Sequence, residues 1–309
     1  MPINKLEKVQ ETVNSIIKGK ADIVQKVLAA MIGGGHILME DIPGVGKTTL
    51  ATTFARALSL DYRRVQFTPD VLPSDLLGFS MYHSQKGEFE FQKGAVFCNL
   101  LLADEINRTS PKTQSALLEV MEERQVSIEG TTRRLPDPFI VIATENPAGS
   151  SGTQLLPESQ LDRFLVCLSM GYPRHEDAVA LLKGEVWKKL SDIAPVLSLE
   201  ELKDIQAKTE SIYVDDAIYE YIINLVEETR NSPLFSLGAS PRAGIALLRM
   251  SRAMAMLASR DFVTAKDVQS VLVDVLAHRV RPSARARAEG ITTAAAVEKL
   301  HETVKSPKL

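Results

Sequence analysis

The stretch His36-Ile-Leu-Met-Glu40-Asp41-Ile-Pro43-Gly44-Val45-Gly46-Lys47-Thr48-Thr49 decides the fold. A short apolar run of strand length enters a glycine-punctuated turn, and a helical pattern begins over 47–51 and continues to residue 60. Gly44 and Gly46 let backbone N–H groups turn inward on phosphate oxygens, and the new helix adds the positive end of its dipole. Within this cradle Lys47 would reach the outer phosphates of a nucleotide such as ATP, and the Thr48 hydroxyl would ligate Mg2+. The phosphate-loop pattern asks for glycine where Asp41 stands, although Asp tolerates turn geometry better than most residues. A strand-to-helix turn that happens to contain Gly-Lys-Thr is the alternative.

Two more apolar runs end in polar residues, the signature of strands that deliver side chains to one sheet edge. Leu100-Leu-Leu-Ala-Asp104-Glu105 would bring Asp104 beside the phosphate loop, where it holds magnesium through water, and would aim Glu105 as a base at the attacking water. A strand followed by a helix-capping acid is the plainer reading. Ile140-Val-Ile-Ala-Thr-Glu-Asn146 should lie between the first two strands and place Asn146 to orient that water; a turn-forming Asn before Pro147 is the alternative.

Helical spacing over 5–32, broken at Lys18-Gly19-Lys20, predicts two helices around a short loop. With a further strand over 64–68, strands alternate with helices and predict an α/β fold, a mostly parallel sheet covered on both faces. Two stretches break the alternation as small hairpins, over 78–94 around Lys86-Gly87 and over 125–135 around Glu129-Gly130. After Tyr172-Pro173 the texture becomes helical, which predicts a first domain over 1–172 and a smaller all-α domain over 173–309.

Composition excludes several classes. The 309 residues are 45% hydrophobic and 24% charged with a net charge of -3, so no global basic field draws the chain to nucleic acid. Cys98 and Cys167 are far apart and belong to no metal-binding cluster, reading as buried thiols of a cytoplasmic protein. No window approaches the roughly 18 apolar residues of a membrane span, and the N-terminus lacks the apolar core of a signal peptide.

The loop, Asp104-Glu105, Asn146, Leu161-Asp-Arg163-Phe and Ser240-Pro-Arg242-Ala follow one another in the order seen in AAA+ ATPases. The longer strings Asp104-Glu-Ile-Asn-Arg-Thr-Ser-Pro-Lys-Thr-Gln114, Gln66-Phe-Thr-Pro-Asp70 and Leu156-Pro-Glu-Ser-Gln-Leu-Asp-Arg-Phe164 resemble the MoxR family within them. That resemblance covers nearly the whole chain. It accommodates a non-glycine residue at position 41 and implies a P-loop αβα sandwich with two inserted hairpins and an all-α lid.

The resemblance further implies that Arg163 is an arginine finger, presented to ATP on a neighbouring subunit, and that Arg242 is a sensor arginine swung by the lid onto the γ-phosphate. A planar, permanently charged guanidinium suits charge spreading over phosphoryl oxygens. Either could instead be a structural ion pair, and Arg174 and Arg249 lie nearby in sequence. Ile17-Lys-Gly19 resembles the segment that cups adenine. Gln66 could tether Glu105 or simply end its strand, and His36 reads as a strand-entry residue. The cluster His278-Arg-Val-Arg281 with Arg285 and Arg287 reads as a solvated face or a subunit contact.

Three functions follow as expectations. The first is a homo-oligomeric ring, hexameric by resemblance, whose ATPase cycle remodels or matures partner proteins, including von Willebrand factor A domain proteins. The second is a nucleic-acid motor using Arg133 and Arg134. The third is a nucleotide-gated scaffold with little hydrolysis.

Overall fold

The computed structural model describes residues 2–42, 44–146, 156–183 and 192–307. In chain order its first part contains α1 (Pro2–Ile16), α2 (Ala21–Ile32), β1 (Ile37–Glu40), α3 (Lys47–Ala57), β2 (Tyr62–Gln66) and α4 (Pro73–Leu77). The hairpin β3 (Gly78–His83) and β4 (Glu88–Lys93) follows, then β5 (Leu100–Asp104), α5 (Pro111–Glu123) and the hairpin β6 (Gln125–Ile128) and β7 (Thr131–Arg134). Next come β8 (Ile140–Glu145), α6 (Glu158–Leu161) and β9 (Val166–Leu168).

The central sheet runs β2-β5-β8-β1-β9, with every pairing parallel. One transverse row reads Arg64, Leu102, Ile142, Ile37, Val166, so the register across all five strands is continuous. Alternate side chains of β5 and β8 enter opposite cores. Leu100, Leu102, Ile140 and Ile142 pack with α1, α2 and α3, whereas Leu101, Ala103, Val141 and Ala143 pack with α5. Both strands are buried along their whole length, as the unbroken apolar runs require when helices cover both faces. Each such leucine, isoleucine or valine contributes about 1.5–3 kcal/mol on burial. The fifth strand, β9, has only three residues, too few for a periodicity to show in the sequence.

The second part holds α7 (His175–Leu182), α8 (Leu199–Glu210), α9 (Asp216–Asn231), β10 (Phe235–Leu237), α10 (Pro241–Leu257), α11 (Ala265–Leu276) and β11 (Arg281–Pro282). The short helices α12 (Ala284–Ala288), α13 (Thr293–Glu298) and α14 (Leu300–Thr303) complete the described elements. Among the described residues this lid is helical except for the two-stranded β10–β11 ladder and a single bridge between Tyr213 and Phe262. Ser240-Pro241-Arg242 starts α10 for local reasons: the Ser240 hydroxyl accepts the Arg242 N–H (3.1 Å), and Pro241 fills the first position, where no N–H is needed. The lid packs along α2 through α10, and Lys26 of α2 is paired with Asp274 of α11 at 2.8 Å.

Arg279 corrects one sequence expectation. Its side chain is 3% exposed, not solvated, and its guanidinium is consumed by the core. It donates to Asp162 Oδ1 (3.0 Å), to the Leu165 carbonyl (3.2 Å) and to the carbonyls of Phe164 and Val275. The planar five-donor fork makes Arg the residue that can bind so many acceptors at once, and here it rivets the lid to the segment that carries Arg163. Arg281 and Arg285 remain outside, paired with Glu158 and Glu289. His36 is also structural: Nδ1 accepts from the Val141 N–H (3.0 Å), Nε2 donates to the Met121 carbonyl (2.9 Å), and burial pushes the imidazole down to about 4. Cys98 is buried and Cys167 only partly so, and both are free thiols. Among the described residues no helix is long and apolar enough to cross a membrane.

Candidate active site

Strands β1, β5 and β8 end at one edge of the sheet, with β8 between the other two. The phosphate loop leaves β1 at this edge. Gly44 and Gly46 hold φ of +85° and +99°, and a Cβ on Gly44 would meet nothing within 4 Å, so backbone conformation rather than space demands glycine. Gly46 begins α3 without a side-chain cap, which leaves the first-turn N–H groups, including those of Thr48 and Thr49, for an anion. Val45 packs at the margin of the core, and Pro43 lies outside the described residues.

Asp41, the departure from the glycine pattern, has its own work. Its carboxylate accepts from the Ser169 hydroxyl (2.9 Å) and from the N–H groups of Met170 and Gly171, the latter at 3.0 Å. The loop is thereby pinned to the end of β9. No sequence signal marks that role, because the partners are 128, 129 and 130 residues away. Lys47 folds over the loop, its ammonium donating to the carbonyls of Asp41 (2.8 Å) and Ile42 (3.3 Å). Burial pushes Lys47 below its usual value, against the pull of the Asp41, Asp104 and Glu105 carboxylates. Lysine and both strand-end acids therefore share one electrostatic site.

Asp104 is held at both oxygens. Thr144 Oγ donates to Oδ1 at 2.7 Å, and Arg64 donates to Oδ2 through NH2 at 2.7 Å and Nε at 3.3 Å. Thr144 Oγ also accepts the Glu105 N–H (2.8 Å), so one hydroxyl of β8 fixes both acids of β5. Glu105 sits in the left-handed region at φ +57°, a conformation that costs a non-glycine residue about 1–3 kcal/mol and that turns its side chain out of the strand. There it pairs with Arg108 at 2.7 Å, while Gln66 accepts from Arg64 (2.9 Å) rather than touching Glu105. Thr144, Arg64 and Arg108 are contacts that the apolar-run pattern could not reveal. Asn146 follows β8, and its carbonyl accepts from Asn107 Nδ2 at 3.1 Å.

Next to Asn146, Glu145 has a buried Oε2 without a hydrogen-bond partner among the described residues, and it stands opposite Glu40 across the β1–β8 ladder. Burial, and then Glu40, push its carboxyl up from 4.5 to about 7. The sign follows: between these values the folded chain holds a proton that the unfolded chain releases, so stability falls as pH rises from 4.5 to about 7 and the penalty is complete above that. Glu145→Gln should remove the penalty. Urea unfolding at pH 8 is expected to show the variant gaining on the wild type by on the order of 2 kcal/mol relative to the difference at pH 5. An equal difference at both pH values would contradict the assignment.

The Ile17–Gly19 turn lies on the same side of the molecule. Ile17 is buried, Gly19 is at φ +68° against Asp177, and Lys20 donates to the Tyr172 carbonyl (2.9 Å) beyond β9.

Arg163 and Arg242 are elsewhere. Arg163 NH1 donates to the Leu118 carbonyl (2.7 Å) and is 3.0 Å from Glu122 Oε2, while Arg242 pairs with Glu122 Oε1. Both line a cavity of about 800 Å³ together with Gly33, Gly34 and Gly35, which enter β1. The end of α5 is tied to that entry, with Arg124 donating to the Gly34 carbonyl at 3.0 Å. The pair thus occupies the edge where β1 begins, whereas Lys47 follows the edge where it ends, and the four residues between span about 10 Å. The lid packs along α2, which carries the start of α10, and with it Arg242, to Glu122 and Asp162. Arg174 is not among the residues lining this cavity, but Arg249 is.

Comparison with known proteins follows these lines. The family model described as ATPase family associated with various cellular activities (AAA) matches residues 36–166, and the AAA lid domain model matches 227–300. A Bacillus subtilis protein, Uncharacterized protein YeaC, is 45% identical over 98% of this chain and 95% of its own length. A Mycobacterium tuberculosis protein named Chaperone MoxR1 is 37% identical over 99% of this chain and 84% of its own. Protein MoxR of Paracoccus denitrificans is 31% identical, with 92% and 91% covered. A solved structure from Cytophaga hutchinsonii, described as a candidate ATPase, superposes with a TM-score of 0.89 at 38% identity, covering 99% of this chain and 96% of that one. Related to MoxR proteins along nearly its whole length, and matching both the AAA and the lid models, this chain belongs to the MoxR family of AAA+ ATPases.

Proposed function

We propose that this chain hydrolyses Mg-ATP at the subunit interfaces of a homo-oligomeric ring, hexameric by family resemblance, and couples turnover to chaperone-like remodelling or maturation of partner proteins. The observation that carries it is the meeting of Arg163 and Arg242 on Glu122, at the opposite sheet edge from their own Lys47. Two guanidiniums gathered there serve a nucleotide only if another subunit brings it.

The residues of the edge suit a magnesium nucleotide. Gly44, Gly46 and the uncapped start of α3 offer N–H groups to phosphate, and Lys47 is already in the loop. Thr48 would ligate magnesium directly. Asp104, whose oxygens already accept from Thr144 and Arg64, would hold it through water. The ion, when bound, offsets charge on the phosphate oxygens. Glu105 takes the proton of the attacking water, Asn146 orients that water, and the backbone of Ile17 and Gly19 faces the adenine. Arg163 and Arg242 of the next subunit stabilise the charge that develops on the transferred phosphoryl group.

We place the boundary between core and lid after Tyr172 and the protein in the cytoplasm, in keeping with its free thiols. The client class, a protein with a von Willebrand factor A domain, comes from the family resemblance. In the motor alternative the Arg133 guanidinium, which lies over the Phe91 ring at 3.9 Å, would meet nucleic acid through its remaining N–H donors. Specific ATPase activity measured across a protein dilution series tests the interface site. Activity per subunit is expected to rise with concentration and level off where light scattering reports full assembly. Constant activity down to the monomer would mean a self-contained site.

A further inference from the structure

We propose that Glu122 is a positioning residue for hydrolysis in the neighbouring subunit, its single carboxylate setting the spacing and aim of Arg163 and Arg242. This rests on the assignment of those two arginines to the neighbour's nucleotide.

The two guanidiniums come from distant parts of the chain, one following α6 and the other at the first turn of α10. Each long side chain is partly exposed, 31% for Arg163 and 50% for Arg242, so neither is confined by burial. What they share is Glu122, one oxygen to each. The carboxylate is itself on a fixed support, because the last turn of α5 is held at β1 by the contacts from His36 to the Met121 carbonyl and from Arg124 to the Gly34 carbonyl. A second carboxylate of the cavity, Asp162, is occupied by Arg279 and by Ser240 Oγ at 2.8 Å.

The donor inventory shows what Glu122 leaves available. Arg163 uses NH1 on Leu118 and Glu122, and Arg242 uses NH2 on Glu122. Each guanidinium carries five N–H donors in a rigid fork, so each keeps donors for an incoming phosphoryl group on the side away from the carboxylate. Glu122 also offsets repulsion between two cations brought together with Arg249 in the same cavity. Without it the guanidiniums separate, and each reaches the phosphoryl oxygens from its own uncontrolled direction. The chemistry recognised remains the terminal phosphoryl group of a nucleoside triphosphate bound by another copy of this chain.

The test compares Glu122→Gln, Arg163→Ala and Lys47→Ala rings. Glu122→Gln is expected to lower kcat about tenfold, the size usual when a residue supporting a functional group is lost, with KM for ATP unchanged because the phosphate loop is intact. Glu122→Asp keeps the charge and should retain more turnover than the glutamine variant. Mixing Glu122→Gln with Lys47→Ala subunits should return activity, since Lys47→Ala subunits present intact arginines to the functional nucleotide site of the other. Wild-type kcat in Glu122→Gln, alongside a large loss in Arg163→Ala, would overturn the positioning role and leave the arginine assignment standing. A Glu122→Gln loss that mixing does not relieve, while the Arg163→Ala loss is relieved, would mean damage within its own subunit and would also overturn it. If Arg163→Ala itself is not relieved by mixing, the interface assignment falls and the proposal falls with it.

Discussion

Glu105→Gln is expected to lower ATP turnover by about 10²–10⁴-fold, the range that a general base supplies, while nucleotide binding and assembly persist. The expectation comes from geometry at the end of β5. The position of residue 105 is set by its backbone, through the N–H bond to Thr144 (2.8 Å) and the left-handed φ, and glutamine keeps both. The amide also accepts from Arg108 as the carboxylate does, so the local structure is retained. What is lost is the ability to take a proton. Asp104, Thr48 and Lys47 are untouched, so a magnesium nucleotide still has its anchors. Phosphate release at saturating ATP, set beside equilibrium nucleotide binding, separates the two effects; turnover near wild type would remove Glu105 from the chemistry. The same variant, held in the nucleotide-bound state, is the form with which to capture clients.

Arg163→Ala should cost more in turnover, about 10³–10⁵-fold, because an arginine finger contributes its charge where the phosphoryl oxygens gain theirs. Stability should change little. A pair with both partners partly exposed contributes about 0–1 kcal/mol. Arg163→Lys is expected to recover little, since a single ammonium cannot hold Leu118, Glu122 and a phosphoryl oxygen in one plane. Turnover by each variant at matched assembly, with nucleotide binding measured separately, checks this. Weak binding in Arg163→Ala would instead mean that the residue belongs to its own subunit's site.

Much of this architecture is legible in the chain because a buried parallel strand leaves an unbroken apolar run, and the polar residues that close the run lie at the sheet edge. Leu100 to Asp104 and Ile140 to Glu145 show it, and so does the helix start at Ser240-Pro241-Arg242, which depends on local capping alone. What stays hidden depends on contacts between distant segments. Asp41 is a departure in sequence and, in space, a carboxylate that accepts three hydrogen bonds from residues 169–171. Arg279 and Arg285 are the same residue type within one basic cluster, yet one is 3% exposed and the other 86%. Arg242 marks where α10 begins, but the direction in which it points depends on how the lid packs along α2, which no local pattern encodes.

The central claim is that each nucleotide site is completed from the next subunit, and rings mixed from Arg163→Ala and Lys47→Ala subunits test it most directly. Each parent ring is inactive, one lacking the finger and the other the phosphate anchor. In a mixed ring an Arg163→Ala subunit with its intact Lys47 can face the intact Arg163 of a Lys47→Ala neighbour. ATP turnover by verified mixed rings should therefore reappear, to a substantial fraction of the wild-type rate per intact interface. Mixed rings as inactive as their parents would contradict the account.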